Sequence, residues 1–265
     1  FKKMNSDSAV PGLNRTAAYS IHVKIPSSLV EQKRIAKQLS IIDNQIDINN
    51  TINQKLEKIG HHLFKHWFIE FEFPNKENTP YKSSDGELGD SELGKIPIKW
   101  DIKAIDEIAN FLNGAACQKY PPSGNHDFPV IKIREMSRGI NENTDMANGD
   151  INKKYIINDG DLLFSWSASL LVKFWAEGKG FLNQHIFKVT SNDFEPWYLY
   201  YWIKHFLEKF IGIAQDKATT MGHIKRSHLS SSYVLIPDEE TLNQMNKIMN
   251  PIIIQLVQNE IQNRK

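Results

Sequence analysis

Three stretches of this 265-residue chain carry side chains suited to reading the edges of bases. Bidentate recognition of base edges needs Arg or Lys for guanine and Asn or Gln for adenine, while other basic and hydroxyl groups anchor phosphates. Lys132-Ile133-Arg134-Glu135-Met136-Ser137-Arg138 follows an apolar run, and strand alternation through it predicts Lys132 and Arg134 on one side. Asn183-Gln184-His185 is an amide pair beside a ring. Thr219-Thr220-Met221-Gly222-His223-Ile224-Lys225-Arg226 joins hydroxyls and bases to a glycine that lets backbone approach closely. From these stretches we take Lys132, Arg134, Ser137, Arg138, Asn183, Gln184, His185, Thr219, Thr220, Gly222, His223, Lys225 and Arg226 as candidate contacts. Gln118, Lys119 and Tyr120 form a weaker fourth set.

Other constellations point to chemistry less well. Asp161, Glu177 and Lys179 have the order of a magnesium-dependent nuclease, where paired carboxylates hold the metal and a lysine supports the attacking water. The same residues also read as turns, Asp159-Gly160-Asp161 and a hairpin at Glu177-Gly178-Lys179-Gly180, and that reading is preferred. His62 and His66 have a helical zinc spacing but lack a third ligand, so packing beside Trp67 is the better account. No glycine-rich turn for a methyl donor follows a strand, and Tyr120-Pro121-Pro122-Ser123 lacks the Asn or Asp that an amino-methyltransferase loop needs. The lone Cys117 reads as a small apolar side chain and excludes an internal disulfide. Trp197, Tyr198, Tyr200, Tyr201 and Trp202 are of the right type to stack bases, but at helical spacing they fit a core. Net charge is only +1, so a phosphate-binding surface requires local segregation of charge. No apolar run approaches the ~20 residues needed to cross a bilayer, and a reducing cytoplasm is the expected compartment.

The loops must be held by something, and long helices dominate the pattern. After Pro26, Ser28 and Glu31 form a capping-box pattern that opens a helix from about Ser27 to about Phe73. Ile35, Leu39, Ile42 and Ile46 advance by four and three, and the phase returns at Leu56, Ile59 and Leu63, passing through Asn49 and Asn53. A second seam follows Pro237 at Leu242, Met245, Met249, Ile252 and Leu256, which predicts an antiparallel pair. Between the helices, short β-rich runs (Phe128 to Ile133, Leu162 to Phe164, Phe187 to Thr190, Tyr233 to Ile236) and an aromatic helix, Trp197 to Phe210, predict a mixed α/β (α+β) domain. The expected boundaries are 1–26 as the tail of a preceding module, 27–76 as a long helix, 77–94 as a linker, 95–236 as the globular domain and 237–265 as the distal helix. A repeat supports the first of these. Gly12-Leu13-Asn14-Arg15-Thr16, Tyr19 and Val23-Lys24-Ile25-Pro26 precede the first helix, as Gly222 to Ser227 and Tyr233-Val234-Leu235-Ile236-Pro237 precede the second.

Several of these residues resemble a known family. Ile25-Pro26, Glu31 to Ala36 and Leu63-Phe64-Lys65-His66-Trp67-Phe68 resemble the central conserved region of Type I restriction-modification specificity subunits. Ser91-Glu92-Leu93-Gly94-Lys95-Ile96-Pro97-Ile98-Lys99-Trp100 is similar to the approach to a target-recognition domain, and Gly160-Asp161-Leu162-Leu163-Phe164-Ser165 to its turn and strand. The resemblance implies a non-catalytic protein without cofactor or metal that reads half of a split site in double-stranded DNA. It also implies docking of methyltransferase subunits through the helices, association with restriction subunits through the complex, and no membrane. A full family member has two recognition domains where this chain has one, so two copies joined head to tail would rebuild the arrangement and favour a symmetric site.

Overall fold

The computed structural model describes residues 15–215 and 222–264. The chain divides into two units, residues 1–48 and 49–265. Gly12 to Asn14 of the repeat and Thr219, Thr220 and Met221 of the third loop lie outside the described residues.

In the first unit a five-residue helix α1 (Arg15–Tyr19) leads through chain without regular secondary structure to Pro26. Helix α2 (Leu29–Phe64) then begins, and it runs on across the division into the second unit. Its start differs from the expected capping box: the Glu31 carboxylate takes the Arg34 guanidinium (2.8 and 3.0 Å), and Gln32 Nε2 donates to the Pro26 carbonyl (2.7 Å). A carboxylate with a guanidinium one turn away forms a charge-assisted pair, a stronger partner than a backbone N–H. Val23, Ile25, Leu39 and Ile42 are all exposed.

The second unit opens on the rest of α2. A π turn (Lys65–Ile69) ends it, Phe71 takes φ +61°, and the chain reverses about four residues before the expected stop at Phe73. The early stop frees Phe73 to stack between Tyr81 and Trp100, with ring centroids 4.5 and 4.9 Å away. Burial of those rings also folds what the sequence predicted as a linker. Pro74 and Pro80 pair, Tyr81 N–H donates to the Phe73 carbonyl (2.9 Å), and a hairpin of β1 (Leu88–Ser91) and β2 (Gly94–Pro97) follows.

The globular part continues with β3 (Asp101–Ala104), α3 (Ile105–Ile108), β4 (Asn110–Asn113), β5 (Phe128–Ile131), α4 (Ile133–Arg138), β6 (Met146–Ala147), β7 (Ile156–Ile157), β8 (Leu162–Ser165), β9 (Leu171–Phe174), β10 (Gly180–Leu182) and β11 (Ile186–Thr190). Helices α5 (Pro196–Gln215) and α6 (Arg226–Ser230), strand β12 (Tyr233–Ile236) and helix α7 (Glu239–Arg264) complete it. One sheet has the order β6-β5-β10-β7, with β5 and β10 parallel; the other, β4-β11-β8-β9, is antiparallel. Strand β12 pairs with β3. The mixed α/β class is therefore the one expected.

Two strand predictions are corrected. Ile133 begins a helix, because the Glu135 carboxylate accepts the Lys132 N–H (3.2 Å), so alternation does not place Lys132 and Arg134 on a shared side. Glu177 to Gly180 is no hairpin, since β9 and β10 belong to different sheets; the Gly178 N–H is held instead by Asp159 (2.6 Å).

Within this unit α2 and α7 run antiparallel. Asn49 donates to Asn263 (2.8 Å) and Gln262 (3.2 Å), Asn259 donates to Asn53 (2.8 Å), and Asn53 donates to the Leu256 carbonyl (3.2 Å). Asn49 and Asn259 are buried, as are Met245, Met249 and Leu256 of the expected distal seam. Ile59, expected on the seam, is exposed, and Gly60 takes the inward position. A Cβ on Gly60 would lie 1.9 Å from Tyr201 Oη, so only glycine admits the aromatic helix so close. Trp197 through Trp202 are buried in the main core with Phe64 and Phe68, as packing rather than stacking residues.

Candidate nucleic-acid interface

The three predicted loops meet along the strand ends. Parallel β5 and β10 put Ile131 beside Leu182, and Asn183 N–H donates to the Ile131 carbonyl (3.3 Å), so Lys132 and Asn183 leave adjacent ends. Gly114, just past β4, abuts the same place: a Cβ there would lie 2.2 Å from the Asn183 carbonyl oxygen. The third loop reaches the second through Trp166, Ser167 and Ala168. Ile224 N–H donates to the Trp166 carbonyl (3.0 Å), Ala168 N–H to the Gly222 carbonyl (2.9 Å), and Trp166 N–H to the His185 carbonyl (3.3 Å). Gly222 is fixed by space, since its Cβ would lie 2.3 Å from the Ala214 carbonyl oxygen.

The candidate side chains differ in what occupies them. Lys132 is ion-paired with Asp145, whose hydrogen bond to the ammonium holds the Asp145 carboxyl below its usual range and the lysine above its own. Arg134 binds the buried Glu135 (2.7 Å) and the Asn143 carbonyl (2.8 Å). Ser137 Oγ donates back to the Ile133 carbonyl (3.0 Å). Arg226 donates to the Phe111 carbonyl (3.1 Å) and lies over the Phe187 ring at 5.6 Å. Asn183 is buried. Gln184 and His185 are half-buried, and Arg138, His223 and Lys225 are exposed. Of the fourth set, Gln118 and Lys119 are exposed, and Tyr120 packs on Phe181 at 5.5 Å.

Residue-type reasoning missed the centre of this arrangement. Half-buried Trp166 donates its indole N–H to Asn113 Oδ1 (2.9 Å) and lies 5.6 Å from His185 and 6.2 Å from His223. Ser167 Oγ lies 3.1 Å from His185 Nδ1. The available signal was a tryptophan between two serines, Ser165-Trp166-Ser167, at the polar end of an otherwise fully apolar strand.

The alternative chemistries have other occupants. Asp161 is held by Lys188 (2.7 Å) and the Asn158 N–H (2.7 Å), as a turn residue. His62 stacks on His66 at 5.9 Å, and His66 bonds Glu70 (3.1 Å). Among the described residues no group of three or more His, Cys, Asp or Glu is placed to hold a metal ion, and no helix is long and apolar enough to cross a membrane.

The fold defines a mixed α/β module packed on an antiparallel helix pair. The chain belongs to the family of the Type I restriction modification DNA specificity domain, whose pattern matches residues 1–58 and 97–264. It is 27% identical over 270 residues to the Type I restriction enzyme MjaIX specificity subunit of Methanocaldococcus jannaschii, covering 98% of this chain and 60% of that protein. It is 21% identical over 316 residues to the HindI specificity subunit of Haemophilus influenzae, covering 96% and 68%. The chain thus spans about 60% of the length of the first of these relatives. Among solved structures it is similar to the Type I S subunit from M. genitalium (TM-score 0.48, 11% identity, 98% of this chain and 68% of that one). It is similar also to the HsdS subunit from Thermoanaerobacter tengcongensis (TM-score 0.42, 15% identity, 96% and 58%).

Proposed function

We propose that this chain is a sequence-reading, non-catalytic subunit that recognises one half of a bipartite site in double-stranded DNA. Its helices dock methyltransferase subunits, and restriction subunits join through the resulting complex. The observation that carries this reading is the convergence of three loops, far apart in sequence, on the ends of β5 and β10 and on Trp166. Such a face offers amides, imidazoles, hydroxyls and cations together, the mixture that base edges and phosphates require.

Residues 15–26 support a further part of the proposal. They repeat the plan of α6, β12 and Pro237, which in the second unit is completed by pairing of β12 with β3. The segment with exposed Val23 and Ile25 is then the closing edge of another module of the same kind. Where that module is not joined to this chain, a second copy supplies it, and a twofold pair reads a symmetric split site.

Co-expression with a methyltransferase subunit, followed by mapping of methylated adenines, tests the proposal. The expected result is a split motif with an unread spacer. Methylation with no dependence on this chain would overturn the reading.

A further inference from the structure

One amide, Asn113, touches Trp166 and a second, Gln184, touches the neighbouring His185, and the hydrogen bonds around them determine what each has left to offer. Trp166 Nε1 donates to Asn113 Oδ1 (2.9 Å), which turns the amide oxygen toward the indole. Gln184 Nε2 lies 3.2 Å from His185 Nε2. An amide nitrogen only donates, so His185 Nε2 is the acceptor and carries no proton. The ring proton then sits on His185 Nδ1 and is donated to Ser167 Oγ (3.1 Å). Ser167 is buried, which anchors this relay in the domain rather than in solvent. Among the described residues, Asn113 Nδ2 and Gln184 Oε1 take no hydrogen-bond partner. Asn113 is thereby left as a donor against the half-buried indole, and Gln184 as an acceptor on the far side of His185, whose ring lies 5.6 Å from that indole.

The backbone holds this arrangement stiffly. Ala168, a residue with a side chain, takes φ +56° and is pinned by its N–H to the Gly222 carbonyl (2.9 Å). Conformations of this kind cost energy and persist where surrounding contacts over-determine them, as at preorganised sites.

Resting on the DNA-reading proposal, we propose that Asn113, Trp166 and Gln184 together read an A·T base pair in the major groove. An A·T pair presents there an acceptor (adenine N7), a donor (adenine N6) and the thymine methyl. Asn113 Nδ2 meets the acceptor, Gln184 Oε1 meets the amino group, and the indole covers the methyl. A G·C pair has an amino group to offer but no apolar surface for the indole.

The test selects preferred sites from a random duplex library with the full chain and with Gln184→Leu. Uracil then replaces thymine, one position at a time, in the selected duplex. The wild-type chain is expected to enrich a motif containing an A·T pair at which Gln184→Leu lowers discrimination about tenfold while other positions keep theirs. Uracil at that pair weakens wild-type binding several-fold and leaves binding by Trp166→Leu unchanged. A wild-type chain indifferent to uracil at every A·T position overturns the inference without relying on any variant to fold. A motif that Gln184→Leu and Asn113→Leu both reproduce overturns it as well. A wild-type chain that enriches no motif overturns the underlying DNA-reading proposal and this inference with it.

Discussion

Arg134 and Lys225 are both cations of the candidate loops, yet their removal should have different consequences. Arg134 covers Glu135, a carboxylate 1% exposed whose other partners are the Lys132 N–H (3.2 Å) and Thr144 Oγ1 (3.3 Å). Taking the guanidinium away leaves a buried charge under-satisfied, so Arg134→Ala is expected to cost about 1–3 kcal/mol in thermal or chemical denaturation. Lys225 is exposed, and among the described residues its ammonium has no ion pair. Lys225→Ala is expected to leave the Tm within a degree or so of the wild type and to flatten the salt dependence of DNA binding by about one phosphate contact. A wild-type salt slope in Lys225→Ala would remove the third loop from the interface. Nothing in the residue types separates these two cations; the separation comes from a helix at Ile133–Arg138 that turns one of them onto its neighbour.

At the scale of elements, the helix pair is joined by amides where apolar residues would bind more tightly. A polar seam residue fixes register at a cost in stability. Asn53→Leu alone leaves the buried Nδ2 of Asn259 without its acceptor, while Oδ1 keeps the Gln255 amide (2.7 Å), and a loss of about 1–3 kcal/mol is expected. Asn53→Leu combined with Asn259→Leu is expected to recover that loss or exceed it, read as Tm, because both partners of the bond are then apolar. Glu260 of α7 gives a prediction of pH dependence. Desolvation against the helix pair pushes its carboxyl above the usual range, and Glu177 and Glu57 push the same way, against the pull of Lys173 at 3.7 Å; the side chain is 45% exposed, so solvent screens the effect. A raised carboxyl binds its proton more tightly in the folded chain, so this group's contribution to stability falls as pH rises from about 4.5 through its folded pKa. Glu260→Gln is therefore expected to raise the Tm only slightly at neutral pH, because the group is half in solvent and gives up its pair with Lys173, with the advantage gone once pH drops below about 4.5. An equal effect at both pH values would refute the assignment.

For the whole molecule, the prediction is self-association. By the plan shared by residues 15–26 and 226–237, the segment before Pro26 corresponds to β12, for which β3 of another module is the matching partner. Sedimentation of the purified chain is expected to show a concentration-dependent dimer. Val23→Asp with Ile25→Asp is expected to abolish it while leaving the melting of residues 49–265 in place, since both positions are exposed in the first unit. A monomer at all concentrations would instead leave that edge to a module other than a second copy.

Periodicity, punctuation and repetition are local properties, and they are legible in the order of residues alone. The seams at Met245, Met249 and Leu256, the repeat at Arg15 and Arg226 and the mixed α/β class all follow from spacing along the chain. Tertiary packing alone decided which candidates are occupied. Gly60 rather than Ile59 faces inward because Tyr201, 141 positions away, needs the room of a missing side chain. The supposed linker folds because Phe73, Tyr81 and Trp100 bury one another. Trp166 becomes the centre of the face because strand ends and a turn deliver Asn113, His185 and His223 to it. A hydrogen bond or a ring contact depends on distances of a few ångströms between residues that covalent order leaves unrelated, and only the packed core sets those distances.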